Sequence, residues 1–352
     1  MVILGRMTAN ASAGVSWRGI ARGRLDVTRR NKSKKPSLEE ALAALDDATD
    51  DPSSERAGAA LREALSKSES YVAARAATIV REALLDGFDG ALIDALDRFL
   101  DAGAKRDPGC RAKLAIAWAM DATDVCVHEP FVRAARCVQM EKAWGPPVDT
   151  AGPVRARALL ALGRARYGDY LLLAGEALAD PEAPVRAAAL AGLVAHGDRG
   201  GAGLARYKIA LGDDDPTVAA EAMRTLMSLA PDAGVERLGA LLRHEDEATR
   251  ELAAIALGDS HRADALVVLL EALGEAVRPQ DRAPLFTALA LHRSDRGLET
   301  LLAYVDGSRA DAERALEALA MRAFEPELRR RAEAAAEAAD VADLFAEAFG
   351  DR

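Results

Sequence analysis

The sequence predicts an all-α protein in which similar helix pairs stack into a solenoid. Of its 352 residues, 79 are Ala and only 7 are Ile, so the best helix former is common and strand-favouring residues are scarce. A pattern of apolar residues also recurs every 30 to 33 residues, with turn residues between the copies. Since one helix pair cannot cover its own apolar face, such copies stack on one another.

Six copies of the repeat share one register. They begin at Val154, Val185, Val218, Thr249, Asp281 and Asp311. The fourth and fifth residues after each start are small or apolar. The eighth is Leu in all six copies: Leu162, Leu193, Leu226, Leu257, Leu289 and Leu319. These positions form one stripe along an α-helix, which predicts the buried face of the second helix in each pair.

Two fainter copies precede these six, beginning at Val72 and Cys110. The Cys110 register places Trp118 in the buried column. The interval from Cys110 to Val154 is longer than the others, which predicts an insertion at residues 122–150. We therefore expect about seven or eight helix pairs.

The predicted domain organisation is one solenoid over residues 36–352. Residues 36–70 and 326–349 are expected to form its N-terminal and C-terminal caps. Residues 1–35 contain nine basic residues and one acid, for a net charge of +8, and lack an apolar period. This composition predicts a disordered basic tail. The remaining chain has a net charge of −18.

The segment from Asp180 to Leu190 reads DPEAPVRAAAL, and the segments that begin near Asp214 and Thr249 follow the same pattern. This pattern resembles the HEAT-repeat superfamily, in its short bacterial form first grouped with phycobilisome lyases. The resemblance covers roughly residues 60–325 and implies a right-handed α-α superhelix. It also implies an inter-repeat ladder of turn aspartates and helix arginines. Those positions are Asp180, Asp215, Asp246, Arg111, Arg155, Arg186, Arg250 and Arg282. Ala219 and Ala312 stand where Arg is expected, so the ladder should be weaker there.

The resemblance further implies that the second helices line a concave surface. The third, sixth and tenth residues after each start should face away from the core. From these positions we predict a protein-binding surface composed of Arg157, Arg164, Glu221, Arg224, Leu252, Ile255, Leu291 and Glu317. Its mixture of charged, small and apolar residues suits a protein or peptide. The same mixture is equally typical of ordinary solenoid surface.

Residue types that carry chemistry are few. Cys126, His128 and Cys137 provide three possible zinc ligands where a structural site uses four, so no metal site is expected. Iron-dependent hydroxylases built from HEAT-like repeats carry a His-Glu pair inside the second helix, whereas His244-Glu245 falls in a turn. No phosphate-binding glycine loop or nucleophile elbow is present. The sequence predicts neither catalytic residues nor a cofactor.

The function that these observations favour is a non-catalytic protein–protein interaction scaffold whose partner is another protein or peptide. One alternative is a subunit of a lyase-type enzyme related to the phycobilisome lyases. Another is association with nucleic acid through the basic N-terminal arm, although the charge of −18 elsewhere makes nucleic acid an unfavourable partner. Three cysteines and no long apolar run predict a cytoplasmic protein without a membrane span.

Overall fold

The computed structural model describes residues 38–125 and 127–350, which contain 19 α-helices, one 3₁₀ turn and one short β-hairpin. The predicted basic tail, residues 1–35, lies outside the described residues. The odd-numbered helices are α1 (Leu38–Asp50), α3 (Ser70–Glu82), α5 (Arg111–Ala122), α7 (Gly152–Arg164), α9 (Ala183–His196), α11 (Pro216–Leu229), α13 (Glu247–Asp259), α15 (Pro279–His292), α17 (Arg309–Ala320) and α19 (Ala342–Phe349). The even-numbered helices are α2 (Glu55–Leu65), α4 (Asp89–Ala102), α6 (His128–Ala135), α8 (Tyr170–Ala177), α10 (Gly201–Leu211), α12 (Pro231–Leu241), α14 (Ala263–Glu275), α16 (Asp295–Val305) and α18 (Pro326–Ala338).

The helices form an α-solenoid of two layers, as the sequence predicts. Successive odd-numbered helices pack against one another more extensively than successive even-numbered helices do. The closest approaches need glycine: a Cβ on Gly163 would lie 2.5 Å from the carbonyl oxygen of Gly192, and one on Gly258 would lie 2.3 Å from that of Ala288. Because the odd-numbered helices form the more closely packed layer, we call them the inner layer and their solvent-facing side the inner face.

Helix boundaries follow from capping side chains. The Asp215 carboxylate accepts hydrogen bonds from the backbone N–H groups of Thr217 and Val218 at the start of α11. Asp246 accepts one from Thr249 at the start of α13. Such side chains bind N–H groups that have no partner within the first turn. Proline occupies the first position of α11, α12, α15 and α18, where its missing N–H costs nothing.

The segment 122–150 contains both a repeat helix and extra chain. Helix α6 is the first helix of the pair that α7 completes. The extra chain is an antiparallel hairpin of β1 (Met140–Glu141) and β2 (Val148–Asp149), in which Met140 faces Asp149. Trp144, in the loop between the two strands, is fully exposed. The long interval before Val154 is thus accounted for by this hairpin.

Helix α5 begins its repeat two residues later than the sequence register predicts. Ala112, Lys113 and Ile116 are buried where the next copy buries Val154, Arg155 and Ala158. The cause is the 3₁₀ turn Pro108–Cys110, which ends with Cys110 in the left-handed region at φ 54°. The prediction that Trp118 belongs to the buried column is therefore wrong: its side chain is 40% exposed on the inner face.

Buried side chains form two apolar clusters that meet at α11. Leu226 and Leu229 belong to the cluster that extends toward the N-terminus, while Met223 and Met227 belong to the one that extends toward the C-terminus. At the far end, α19 buries Leu344, Phe345 and Phe349 against the preceding helices. Within residues 38–125 and 127–350, no helix is both long and apolar enough to cross a membrane.

Candidate functional site

The inter-repeat ladder is built around an arginine one residue after the start of a copy. Arg186 shows the full arrangement. Its Nη1 donates to the carbonyl oxygens of Asp180 and Pro181, at 2.9 and 3.0 Å, in the turn before its own helix. Its Nε and Nη2 donate to both oxygens of Asp213, at 2.8 and 2.7 Å, in the next turn. One guanidinium therefore joins two successive turns.

The same contact recurs at Arg155, which is almost completely buried. Its Nε and Nη2 donate to Asp180 at 2.8 and 3.0 Å, and its Nη1 reaches both Asp149 and the Cys137 carbonyl. At Asp213, the hydrogen bond from Arg186 and the adjacent Lys208 ammonium hold the pKa of the carboxyl far below its ordinary value. The Asp213 carboxylate therefore stays ionised although its side chain is buried.

Two of the predicted ladder aspartates have a different role. Asp215 and Asp246 cap their own helices, and the carboxylate that meets Arg186 is Asp213, two residues before the predicted Asp215. Farther along, Arg250 approaches Asp281 at 3.7 Å and Arg282 donates to Asp311 at 2.7 Å. A turn aspartate can serve as a cap or as a ladder acceptor, and sequence pattern alone does not separate the two.

Arg111 is exposed, and Lys113 occupies the ladder position of its copy because of the two-residue shift. The Lys113 ammonium is buried and contacts Asp107 at 3.2 Å and the Gln139 side-chain oxygen at 2.9 Å. Gln139 in turn donates to the Asp107 carbonyl and to Glu141. A buried lysine needs such partners, so the network anchors the hairpin to α5.

Two histidines make an inter-repeat contact that the sequence reasoning missed. His196 and His292 each lie eleven residues after the start of their copy. The Nε2 of His196 is 3.1 Å from the carbonyl oxygen of Tyr167, and that of His292 is 2.8 Å from the carbonyl oxygen of Arg262. Both carbonyls belong to the preceding repeat. The equal offset of the two histidines is the signal that could have revealed this column.

The predicted concave surface is distributed along five inner helices. Of its eight residues, three are exposed: Arg164, Arg224 and Glu317. The other five are half-buried: Arg157, Glu221, Leu252, Ile255 and Leu291. The structure brings Arg157 and Arg164 together through a shared acceptor, Asp121, and it brings Glu221 and Arg224 together as an ion pair. The remaining four lie on α13, α15 and α17.

A charged and aromatic cluster occupies the inner face of α3, α5 and α7. We call it the Arg–Trp cluster: Arg81, Trp118, Asp121, Arg157 and Arg164. The guanidinium carbons of Arg81 and Arg157 each lie 4.4 Å from the centre of the Trp118 ring. Asp121 is 8% exposed and accepts hydrogen bonds from Arg157, at 3.2 Å, and from Arg164. Sequence reasoning found two of these five residues and misplaced Trp118.

The cysteine and histidine candidates do not assemble in the described residues. Cys126 lies outside them, while the His128 ring packs edge-on against Tyr167. Cys110 is buried with its sulfur 3.6 Å from the Thr150 hydroxyl, and Cys137 is half-buried. Burial raises the pKa of Cys110 to about 11 and also raises that of Cys137, so both thiols are protonated at neutral pH. No group of three or more His, Cys, Asp or Glu side chains suited to a metal ion occurs in the part of the chain that the structure describes.

His244 and Glu245 lie in the turn before α13, as predicted. The backbone N–H of Asp246 donates to the Nδ1 of His244, and Arg250 donates to the carbonyl oxygens of His244 and Glu245. A shallow groove of about 300 Å³ opens beside them, with Arg243, Glu275 and Leu285 among its walls. The His244 ring and the Arg250 guanidinium thus hold this turn together.

Comparison with known proteins identifies the repeat. The family model described as HEAT repeats matches residues 204–290, which run from α10 into α15. Residues 204–290 carry HEAT repeats. This confirms the resemblance predicted from the turn and helix pattern. No curated protein matches the chain.

Two solved structures are similar to this chain at low sequence identity. One is the crystal structure of an engineered protein, with 19% sequence identity, a TM-score of 0.41, and coverage of 91% of this chain and 97% of that one. The other is human deoxyhypusine hydroxylase in complex with glycerol, with 17% identity, a TM-score of 0.29, and coverage of 72% of this chain and 96% of that one.

Proposed function

We propose that this protein is a non-catalytic scaffold that binds a partner protein along the inner face of its odd-numbered helices. The observation that supports this proposal is the continuous inner layer, whose outward positions carry exposed charges beside half-buried apolar side chains. Arg164 and Glu317 are exposed, for example, while Leu252 and Ile255 are half-buried. Protein interfaces combine an apolar centre with a polar rim in this way.

The layered architecture also favours binding over a long surface. Each repeat contacts mainly its neighbours, so a ligand that spans several inner helices touches side chains far apart in sequence. HEAT repeats generally mediate protein interactions, and that general role is the one proposed here. We also propose that residues 36–70 and 326–349 are the caps, since α19 places apolar side chains on the last repeat and charged ones outward.

The test compares charge-swapped variants of the two layers. The inner variant carries Arg224→Glu and Glu317→Arg. The matched outer variant carries Arg206→Glu and Glu299→Arg, which are exposed positions on α10 and α16. Both variants keep the net charge of the chain. Tagged proteins are crosslinked in their native host, purified and analysed by quantitative mass spectrometry.

We expect a co-purifying protein that the outer variant retains and the inner variant loses. Circular dichroism of both variants should match that of the unmodified protein. Loss with the outer variant alone would place the interface on the even-numbered helices and contradict the proposal. So would the absence of any specific co-purifying protein.

A further inference from the structure

We propose that the Arg–Trp cluster on α3, α5 and α7 is a binding site for an acidic peptide segment. This inference rests on the proposed scaffold function and specifies the chemistry of the partner at one end of the inner face. Sequence reasoning assigned Trp118 to the core and Arg157 and Arg164 to a general surface, and it did not single out Arg81 or Asp121.

The residues of the cluster lie along a diagonal line that crosses three neighbouring helices. Arg81, Trp118 and Arg157 are the ninth, sixth and third residues after the starts of their copies. Since α3 and α7 pack on opposite sides of α5, the Trp118 ring lies between two guanidinium groups, each 4.4 Å from its centre. Stacking on an aromatic ring restricts a guanidinium without using its N–H donors. The two arginines are therefore held in place before any ligand arrives.

The guanidiniums have unused hydrogen-bonding capacity. A guanidinium carries five N–H donors. In the described residues, Arg81 donates to Glu82, while Arg157 and Arg164 donate to Asp121. The side chains of Arg81 and Arg157 are 23% and 22% exposed, and that of Arg164 is 49% exposed. Carboxylates are the natural acceptors for such preorganised donors, because charge-assisted bidentate pairs are strong.

The next inner helix supplies an apolar continuation of the site. On α9, the outward positions include Ala191, Val194 and Ala195, of which Val194 is 37% exposed. These side chains are small and uncharged, so they suit the apolar residues of a peptide whose acidic residues contact the arginines. Arginine and tryptophan are also among the side chains enriched at positions that dominate binding energy.

A peptide fits these contacts better than a nucleic acid does. Single-stranded nucleic acids bind by stacking bases on aromatic rings, and the ring of Trp118 is already occupied by two guanidiniums. The surrounding chain is also acidic, with a net charge of −18 for residues 36–352. A phosphate backbone carries charge along its whole length and would meet this repulsion, whereas a short acidic segment confines its charges to the cluster.

The experiment measures fluorescence anisotropy of the full chain with a labelled peptide of alternating Glu and Ala residues. The control peptide has Gln in place of Glu. We expect binding of the Glu peptide only. Arg157→Gln and Arg164→Gln should each weaken it about tenfold, since a hydrogen bond to a charged group contributes on that scale. Trp118→Leu should also weaken binding, because Arg81 and Arg157 would no longer be held in place by stacking on the ring.

Two further variants test the sign and the location of the effect. Glu82 is exposed and paired with Arg81, so Glu82→Gln should tighten binding about twofold by removing a competing charge. Arg243 is an exposed arginine paired with Glu275 far from the cluster, so Arg243→Gln should leave the affinity unchanged. Tightening by one substitution and weakening by another cannot both result from loss of folding.

Equal binding of the Glu and Gln peptides would overturn the inference, as would an affinity insensitive to Arg157→Gln and Arg164→Gln. Tighter binding of a single-stranded oligonucleotide through the same arginines would assign the site to nucleic acid instead. If the inner variant at Arg224 and Glu317 loses its partner but the acidic peptide does not bind, the scaffold proposal stands and this one fails. If the peptide binds but no partner co-purifies, this inference stands and the scaffold proposal fails.

Discussion

The central and C-terminal parts of the ladder use the same arginine position with different aspartates. In the central part, Arg155 and Arg186 each make two parallel hydrogen bonds to an aspartate located five residues before the next copy begins. In the C-terminal part, Arg250 and Arg282 each reach one oxygen of an aspartate at the start of the next copy. The central pairs are thus bidentate and the C-terminal pairs are not.

The Arg186–Asp213 pair and the Arg250–Asp281 pair also differ in burial. The acceptor Asp213 is 2% exposed and its partner Arg186 is 14% exposed, whereas Asp281 and Arg250 are 25% and 23% exposed. An ion pair that is both bidentate and buried is costly to break, because removal of one partner leaves an uncompensated charge. An exposed pair contributes little. An arginine that recurs at the same position in several repeats can therefore make contacts of different strength.

The largest expected difference comes from matched substitutions in the two parts. Asp213→Asn should reduce the free energy of unfolding by about 3–5 kcal/mol, because the buried Lys208 and the partly buried Arg186 would lose their shared carboxylate. Asp281→Asn should cost at most about 1 kcal/mol, since its partners Arg250 and Arg278 are accessible to water. Urea denaturation of both variants measures the two values. Equal costs would remove the distinction between the two parts of the ladder.

A second comparison concerns α11, where the two apolar clusters meet. Leu226→Ala should cost about 2–5 kcal/mol, since this side chain is 1% exposed and its removal leaves a cavity. Arg224→Ala, two residues earlier on the same helix, should stay within about 0.5 kcal/mol because its side chain is 58% exposed. Similar values from urea denaturation would contradict the assignment of Leu226 to the buried face of α11 and of Arg224 to its inner face.

The central ladder should also respond to pH. The pKa of Asp213 is lowered, chiefly by the hydrogen bond from Arg186. A lowered folded-state pKa stabilises the protein above the unfolded-state value of about 3.9 and loses that effect as the pH falls toward the folded-state value. The stability difference between the unmodified protein and Asp213→Asn should therefore be constant from neutral pH to about 5. Below about pH 4 it should shrink by about 1.4 kcal/mol per pH unit. A difference that grows in acid would contradict this assignment.

Much of the fold could be predicted because the stripe of buried residues repeats with one register from Val154 onward. Leu162 and Leu319, at opposite ends of that series, are both completely buried. The predicted register is wrong at α5, where the 3₁₀ turn before Arg111 shifts the buried positions by two residues. A local backbone turn of this kind leaves little trace in an apolar pattern. Its consequence was large, since it moved Trp118 from the core to the inner face.

The ladder partners could be predicted only in part, for a related reason. Turn aspartates at several offsets from the helix start are chemically equivalent in the sequence. Which of them caps a helix and which meets an arginine depends on the turn's path, as the neighbours Asp213 and Asp215 show. The Arg–Trp cluster likewise joins residues from three repeats, so its existence depends on how successive helices are aligned.

The smallest expected effect addresses the position where the ladder is interrupted. Ala219 replaces the arginine in α11, and His244 stands where the central repeats have their acceptor aspartate, five residues before the next copy. The double substitution Ala219→Arg with His244→Asp should complete the ladder between the two apolar clusters. Because the new pair is partly exposed, we expect a gain of about 1 kcal/mol, measured by urea denaturation. Each single substitution should give no gain, and a double-mutant cycle isolates the pair from its separate effects. If the double variant gains nothing beyond the sum of the single ones, then the turn before α13 follows a different path from the central turns, and the C-terminal repeats cannot form the bidentate contact even when both residues are supplied.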